Sequence, residues 1–192
     1  LPLCGREAPP ITALDAGHGV YATYLTAQGR MISDLRIHQR GDHLLVEVPA
    51  SLTGRLLSAF DALIFSEDVV VSDVSASVSQ IAVIGTGAAD AVARALTIDA
   101  GRLNGLAPLA GISGGTTFVA RADDSEAWPV FDVFVSRDEA ASVESALELA
   151  GAPQISPEVL EAARIEAGRP AFGVDMTDET IPLEAGLLDR GI

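Results

Sequence analysis

The sequence predicts an α+β fold: two α/β-sandwich-like lobes of antiparallel sheet, each with helices on one face. Three features point to it. Stretches that alternate large apolar with small or polar residues come in pairs joined by glycine turns, as half-buried hairpins do. Stretches with apolar residues three and four apart, the period of an amphipathic helix, are interleaved with them. The strand–helix–strand repeats that would build a parallel sheet are not evident.

The elements follow in order. VYATYL at 20–25 and MISDLRI at 31–37 alternate on either side of TAQGR, a hairpin in which Gly29 supplies the positive φ. The turn QRGDH leads to a third strand, LLVEV at 44–48, ended by Pro49. Leu52, Leu56, Leu57, Phe60 and Leu63 then trace one helical face, with Ser51 as the expected N-cap. DVVVSDVSASV and QIAVIG read as strands, and the alanine-rich 88–97 as a helix. Residues 99–115 have weak periodicity and read as a connecting region. TTFVARA and PVFDVFVS read as strands joined by the turn DDSEA, with Trp128 as a packing residue. RDEAASVESALELAG is a helix ended by Gly151. SPEVLEAARIEAG is another, with Ser156 at the N-cap, Pro157 at the first helical position and Gly168 past the end. In that helix Leu160, Ala163 and Ala167 should face inward. The expected division is a first lobe over 15–97, a second over 98–180, and a truncated C-terminal tail over 181–192.

The stretch IAVIGTGAADAVARAL (81–96) offers a Gly-x-Gly turn between a strand and a helix. A dinucleotide fingerprint needs Gly or Ala three positions after the second glycine, and Asp90 stands there. Its carboxylate suits a helix N-terminus but would repel a pyrophosphate at the same place. The turn is therefore expected to be a structural corner.

Composition excludes whole classes of chemistry. The chain has 192 residues, 48% hydrophobic, with a mean hydropathy of +0.33 and a formal net charge of −15. Every basic side chain is Arg, so no P-loop lysine, pyridoxal Schiff base or lysine general base can form. Acidity of this size argues against nucleic acid as a partner. Cys4 is the single cysteine, and His18, His38 and His43 show no metal-ligand spacing; they read as surface or hairpin residues, and no metal is expected. No apolar stretch has the length of a membrane span, and LPLCGREAPP has neither a basic n-region nor a long apolar h-region, so no signal peptide is expected in it. The expected location is cytoplasmic. The absence of an initiator Met points to a processed chain or a fragment.

Three charged residues stand out as ligand candidates. Asp34 sits mid-strand, where aspartate has poor propensity. It marks either an exposed edge hairpin, paired with Arg36 or Arg30, or a carboxylate at a pocket mouth facing the N–H groups of a heterocycle. Asp132 lies inside the strand FDVFV. Arg164, near a helix C-terminus, either complements the dipole or clamps a ligand carboxylate.

Several stretches together resemble the YgfZ-type folate-binding proteins, relatives of the glycine-cleavage aminomethyltransferase (T-protein). They are YATYLTAQGRMISDLRI, LLVEVP, EDVVVSD, the corner at 81–96, and ARIEAGRPAFGVDMTDETIPLEAGL, together spanning about residues 15–188. The resemblance implies the aminomethyltransferase folate-binding fold with its C-terminal barrel domain absent, and a tetrahydrofolate pocket between the lobes. It implies Asp34, Asp132 and Arg164 as cofactor-binding residues and Asp34 as the catalytic carboxylate. Two departures bear on it: Ser33 replaces the first of an acidic pair, and the Lys-Gly-Cys-Tyr-x-Gly-Gln segment of YgfZ-type proteins does not occur before Ile192. The leading expectation is a tetrahydrofolate-binding scaffold, an accessory in iron–sulfur protein assembly or repair with iron–sulfur proteins as partners. The alternatives are a folate-dependent aminomethyltransferase and a protein-interaction module with a decayed folate cleft.

Overall fold

The structure, a computed structural model, describes residues 13–122 and 128–187. Cys4 and the expected turn at 123–127 lie outside the described residues.

The first sheet is built from local hairpins. Strands β1 (Gly19–Leu25), β2 (Met31–Gln39) and β3 (Leu44–Glu47) pair antiparallel in the order β1-β2-β3. The first turn closes through the Thr26 N–H on the Arg30 carbonyl at 2.8 Å, and Gly29 adopts φ +80° as expected. Helix α1 (Thr53–Asp61) covers one face, setting Leu56 and Phe60 against Val20, Ala22, Leu35 and Ile37. Ser51 does not cap it: a 3-10 turn over Ala50–Leu52 leads straight into the helix, and no side chain caps its first N–H groups.

The second sheet joins β4 (Val78–Ile84), β5 (Gly111–Gly114), β6 (Thr117–Arg121) and β7 (Val130–Ser136), all antiparallel in the order β4-β7-β6-β5. Helices α2 (Ala88–Leu96), α3 (Ala100–Asn104) and α4 (Ala140–Leu149) cover its outer face. There Val92, Leu103 and Leu147 bury against Val83, Val119, Phe131, Val133 and Val135, each side chain contributing about 1.5–3 kcal/mol. Helix α5 (Pro157–Glu166) follows α4.

Several expectations are corrected here. The strand expected over 68–78 begins only at Val78; Asp73 turns its carboxylate onto the Ser75 N–H at 2.8 Å, and Val69 and Val70 stay exposed. Residues 99–115 hold α3, capped by Asp99 through the Arg102 N–H at 2.9 Å, and β5. Because β4 pairs with β7, the chain passes from one sheet to the other between β3 and β4, not at residue 97. In α5, Leu160 is exposed and Ala163 and Ala167 are only half-buried, so this helix has no buried face.

The Gly-x-Gly corner is structural. β4 runs antiparallel to its partner, Gly85 adopts φ +120°, and its carbonyl accepts the Ala88 N–H at 3.0 Å. Ala88, Ala89, Ala91 and Ala93 are buried, so the small side chains let α2 lie close on the sheet.

The uncovered faces of the two sheets meet each other, giving the layers helix, sheet, sheet, helices. Tyr21, Thr23, Asp34, Arg36, His38, Leu45 and Glu47 face inward from the first sheet, and Gln80, Phe118, Asp132 and Phe134 from the second. At one end the main chains touch: the Gly111 N–H donates to the Gly17 carbonyl at 2.7 Å.

Candidate functional site

Inward-facing positions between packed sheets are expected to be apolar, yet here a charged cluster sits among them. Arg36, opposite Glu47 in the β2–β3 register, lies 3.5 Å from Glu47 Oε2 and 3.7 Å from Asp132 Oδ2. Glu47 also accepts from His38 Nε2 at 2.7 Å and from the Gln80 amide at 2.8 Å. The cluster thus draws on β2, β3, β4 and β7 and holds the two sheets together.

Asp132 is 4% exposed, and burial first, then the charge of Glu47, push its carboxyl above the ordinary 3.8. Glu47 goes the other way. Burial would raise it, but the His38 hydrogen bond and the Arg36 charge hold it below 4.5. Burial likewise works against the Arg36 charge, and Glu47, Asp132 and Asp34 together outweigh it, raising that guanidinium above its usual value.

His38 corrects an expectation: it is buried at 1% exposure, not a surface residue. Its ring stands edge-on to Phe118 with centroids 5.4 Å apart. Its Nδ1 has no hydrogen-bond partner because it lies against Gly19, where a Cβ would come within 2.9 Å of it. His18 and His43 are exposed, as expected.

Asp34 lies on the central strand of its sheet and not on an edge hairpin. It is half-buried on the inner face and accepts from the Tyr21 hydroxyl at 3.1 Å. Directly across β1 from it stands Thr23, fully buried, whose Oγ1 has no hydrogen-bond partner. Arg30 turns away, toward the Glu179 carbonyl at 3.4 Å. Ser33 points to the opposite face, among Leu35 and Tyr24 under α1. The replacement of the first acid of the pair therefore leaves the inner face untouched.

Arg164 is engaged elsewhere. Its guanidinium meets Glu161 at 2.6 and 2.8 Å, Asp175 at 2.6 Å and the Arg169 carbonyl, and Glu161 first, then Asp175, raise it above its ordinary value. This clamps the 169–176 loop to α5, and Met176 beyond it buries against Tyr21 and Met31. The structure thus brings Asp34 and Asp132 to the two sides of one seam with Arg36 acting on both, and ties Arg164 to that seam through Met176 and Tyr21. Sequence reasoning missed Glu47, Gln80, Thr23 and Tyr21. The available signal was the same-face spacing of Asp34, Arg36 and His38 along one strand.

The cluster presents carboxylates, a guanidinium and an unused hydroxyl, the complement of a flat heterocycle with both donors and acceptors. Among the described residues no group of three or more His, Cys, Asp or Glu could hold a metal ion. No helix among them is long and apolar enough to cross a membrane.

Fold and site together define a two-sheet α+β domain with a polar, carboxylate-bearing seam between the sheets. The sequence profile of the GCVT N-terminal domain matches residues 8–189, and the chain belongs to that family. It is 29% identical over 182 residues to an aminomethyltransferase of Rubrobacter xylanophilus, covering 92% of this chain and 48% of the relative. It is 26% identical over 199 residues to one of Corynebacterium jeikeium, covering 92% and 51%. The chain spans about half the length of the curated relatives it matches. Among solved structures, the glycine cleavage system aminomethyltransferase T from Bartonella henselae superposes with a TM-score of 0.73 at 18% identity, over 88% of this chain and 46% of that one. That likeness shows a shared fold.

Proposed function

We propose that this chain is a tetrahydrofolate-binding scaffold that holds its ligand at the seam between the sheets. The observation that carries the reading is that Asp34 and Asp132 both face the seam, with the Arg36 guanidinium under the charge of each and the unpartnered Thr23 hydroxyl across β1 from Asp34. The N–H groups of a reduced pterin would find acceptors in the carboxylates, and its carbonyl a donor in Thr23 or Arg36. Tyr21 would fix the Asp34 carboxylate, and Arg164 would act by holding the 169–176 loop against Tyr21. Bound tetrahydrofolate would supply the one-carbon carrier; the protein residues bind and orient it. Isothermal titration with a stable reduced folate tests this. Saturable binding weakened by Asp34→Asn is expected, and no saturation by correctly folded protein overturns it.

The YgfZ-type resemblance extends this reading to a cytoplasmic accessory role in iron–sulfur protein assembly or repair. Loss of activity in iron–sulfur enzymes on deleting the gene, restored by the wild type and not by Asp34→Asn, is the expected result.

A second reading, aminomethyl transfer to tetrahydrofolate with Asp34 as general acid–base, is favoured by the names of the relatives and by the Tyr21–Asp34 hydrogen bond. Formation of methylenetetrahydrofolate from an aminomethyl donor supports it. A third reading, an interaction module, is favoured by Arg36 lying between the carboxylates where a ligand would reach. The folate titration separates it from the first.

A further inference from the structure

A second polar feature lies at the other end of β2. Between the ends of the two sheets opens a cleft of about 340 Å³ lined by Ala16, Gly17, Arg40, Arg102, Gly111, Ile112 and Ser113. Asp34 and Arg40 are six residues apart along an extended chain, so roughly 20 Å separates this cleft from Asp34. The packed rings of His38, Phe118 and Phe134 fill the space between.

The cleft has a built wall. Gly111 lies against the Phe118 ring so closely that a Cβ would come within 2.4 Å of it, and Gly17 adopts φ +85° with its Cβ direction 3.1 Å from the Gly111 carbonyl. Only glycines let the two backbones approach this way. On Phe118 rests the Arg40 guanidinium, 4.4 Å from the ring centroid, an arrangement that fixes the plane of its fork. Its Nε is buried with no hydrogen-bond partner. Arg102 reaches the same cleft from α3.

The charges in this cleft are unusual for the molecule. The chain carries 27 acidic and 12 basic side chains, and nearly every structural Arg described above faces a carboxylate or a carbonyl. Among the described residues, no acidic one lines the cleft. Asp42, whose charge acts on Arg40, projects into solvent at 92% exposure and pairs with His43 at 2.7 Å. Asp99 accepts the backbone N–H of Arg102 and makes no ion pair with its side chain. Burial works against the Arg40 charge, so an anion beside it would relieve a standing cost.

We infer that this cleft is an oxyanion site, binding the phosphate or carboxylate group of a small-molecule ligand between the Arg40 and Arg102 guanidinia. Two forks from different elements can grip one oxyanion from two sides, and Ser113 adds a hydroxyl at the rim. The site is distinct from the seam that holds Asp34 and Asp132.

The test is an NMR titration of the full chain at low ionic strength, with inorganic phosphate in one arm and acetate in the other. Saturable shifts are expected at the amides of Gly17, Gly111 and Ser113, with the tighter arm identifying the group. Arg102→Gln should weaken binding about tenfold, the loss of one charge-assisted contact. Arg55→Gln, which removes the same charge from exposed α1, should change it little. Absence of saturation in both arms overturns the inference. So does equal binding by Arg102→Gln, or equal weakening by Arg55→Gln, which would mean a diffuse response to net charge. Binding that survives Asp34→Asn separates this site from the folate reading.

Discussion

Arg36 Nη1 stands 3.7 Å from Asp132 Oδ2, and these two residues belong to different sheets. The same guanidinium reaches Glu47 at 3.5 Å, so one cation sits between two largely buried carboxylates. Removing it would leave the His38 and Gln80 hydrogen bonds to Glu47 but no guanidinium between the two carboxylates.

Arg36→Gln should therefore lower stability by about 2–3 kcal/mol. This is below the ~3–5 kcal/mol of a fully buried pair, because the Arg36 side chain is 30% exposed and water screens it. Asp132→Asn in the same chain should recover part of the loss, since it removes one orphaned charge. Urea unfolding of both singles and the double variant checks this; strictly additive losses would mean that the pair is not coupled.

The two carboxylates should respond oppositely to pH. Asp132 has a raised folded-state pKa, so its contribution is most favourable below 3.8 and is lost as pH rises through the raised value. Glu47 has a depressed one, so its contribution is present above 4.5 and is lost as pH falls through the folded value. Between pH 3.8 and neutrality, Asp132→Asn should gain stability relative to wild type as pH rises. Below 4.5, Glu47→Gln should lose less stability than wild type on acidification. Urea midpoints measured across pH decide both, and parallel profiles would contradict the assignment.

Gly19 and Gly29 should differ in cost for different reasons. A Cβ at Gly19 would meet the Leu109 carbonyl at 2.6 Å and the Ile37 carbonyl at 2.9 Å, both backbone atoms with little freedom to move. Gly19→Ala should cost about 2–3 kcal/mol through this overpacking. Gly29 has open space but φ +80°, so Gly29→Ala should cost only about 1 kcal/mol of backbone strain. Thermal unfolding of the two variants gives the order.

Arg164→Lys keeps a positive charge but cannot span Glu161, Asp175 and the Arg169 carbonyl at once. The loss in global stability should be small, because the bridged carboxylates are solvent-exposed and water screens the pairs. Faster amide exchange should be confined to the 169–176 loop. Exchange that accelerates across β1 and β2 instead would show a wider role.

The hairpins at 19–47 and the helices α4 and α5 were legible because their signals are local: alternation, a glycine in the turn, a proline at the first helical position. The carboxylates Asp34 and Asp132 were legible as anomalies, charges inside strands. Their shared seam was not, because it depends on how two sheets pack face to face across roughly a hundred residues of chain. His38 was misread for the same reason. Nothing near it in sequence announces that Glu47 and Phe118 will enclose it. Leu160 was misread in the opposite sense, since helical periodicity identifies an apolar face but not whether anything packs on it.

The pairing of β4 with β7 also sets an order of events during synthesis. The first sheet can close as soon as β3 is made, since each strand pairs with its immediate neighbour in the chain. Strand β4 has no such neighbour: Val83 pairs with Phe131, roughly fifty residues further on. At ribosomal rates of about 5–20 residues per second, that leaves the apolar IAVI edge without its partner for roughly 2–10 s. Helix α2, emerging next and laying its buried alanines on the outer face of β4, can cover the apolar side chains of that strand before β7 arrives to pair its edge.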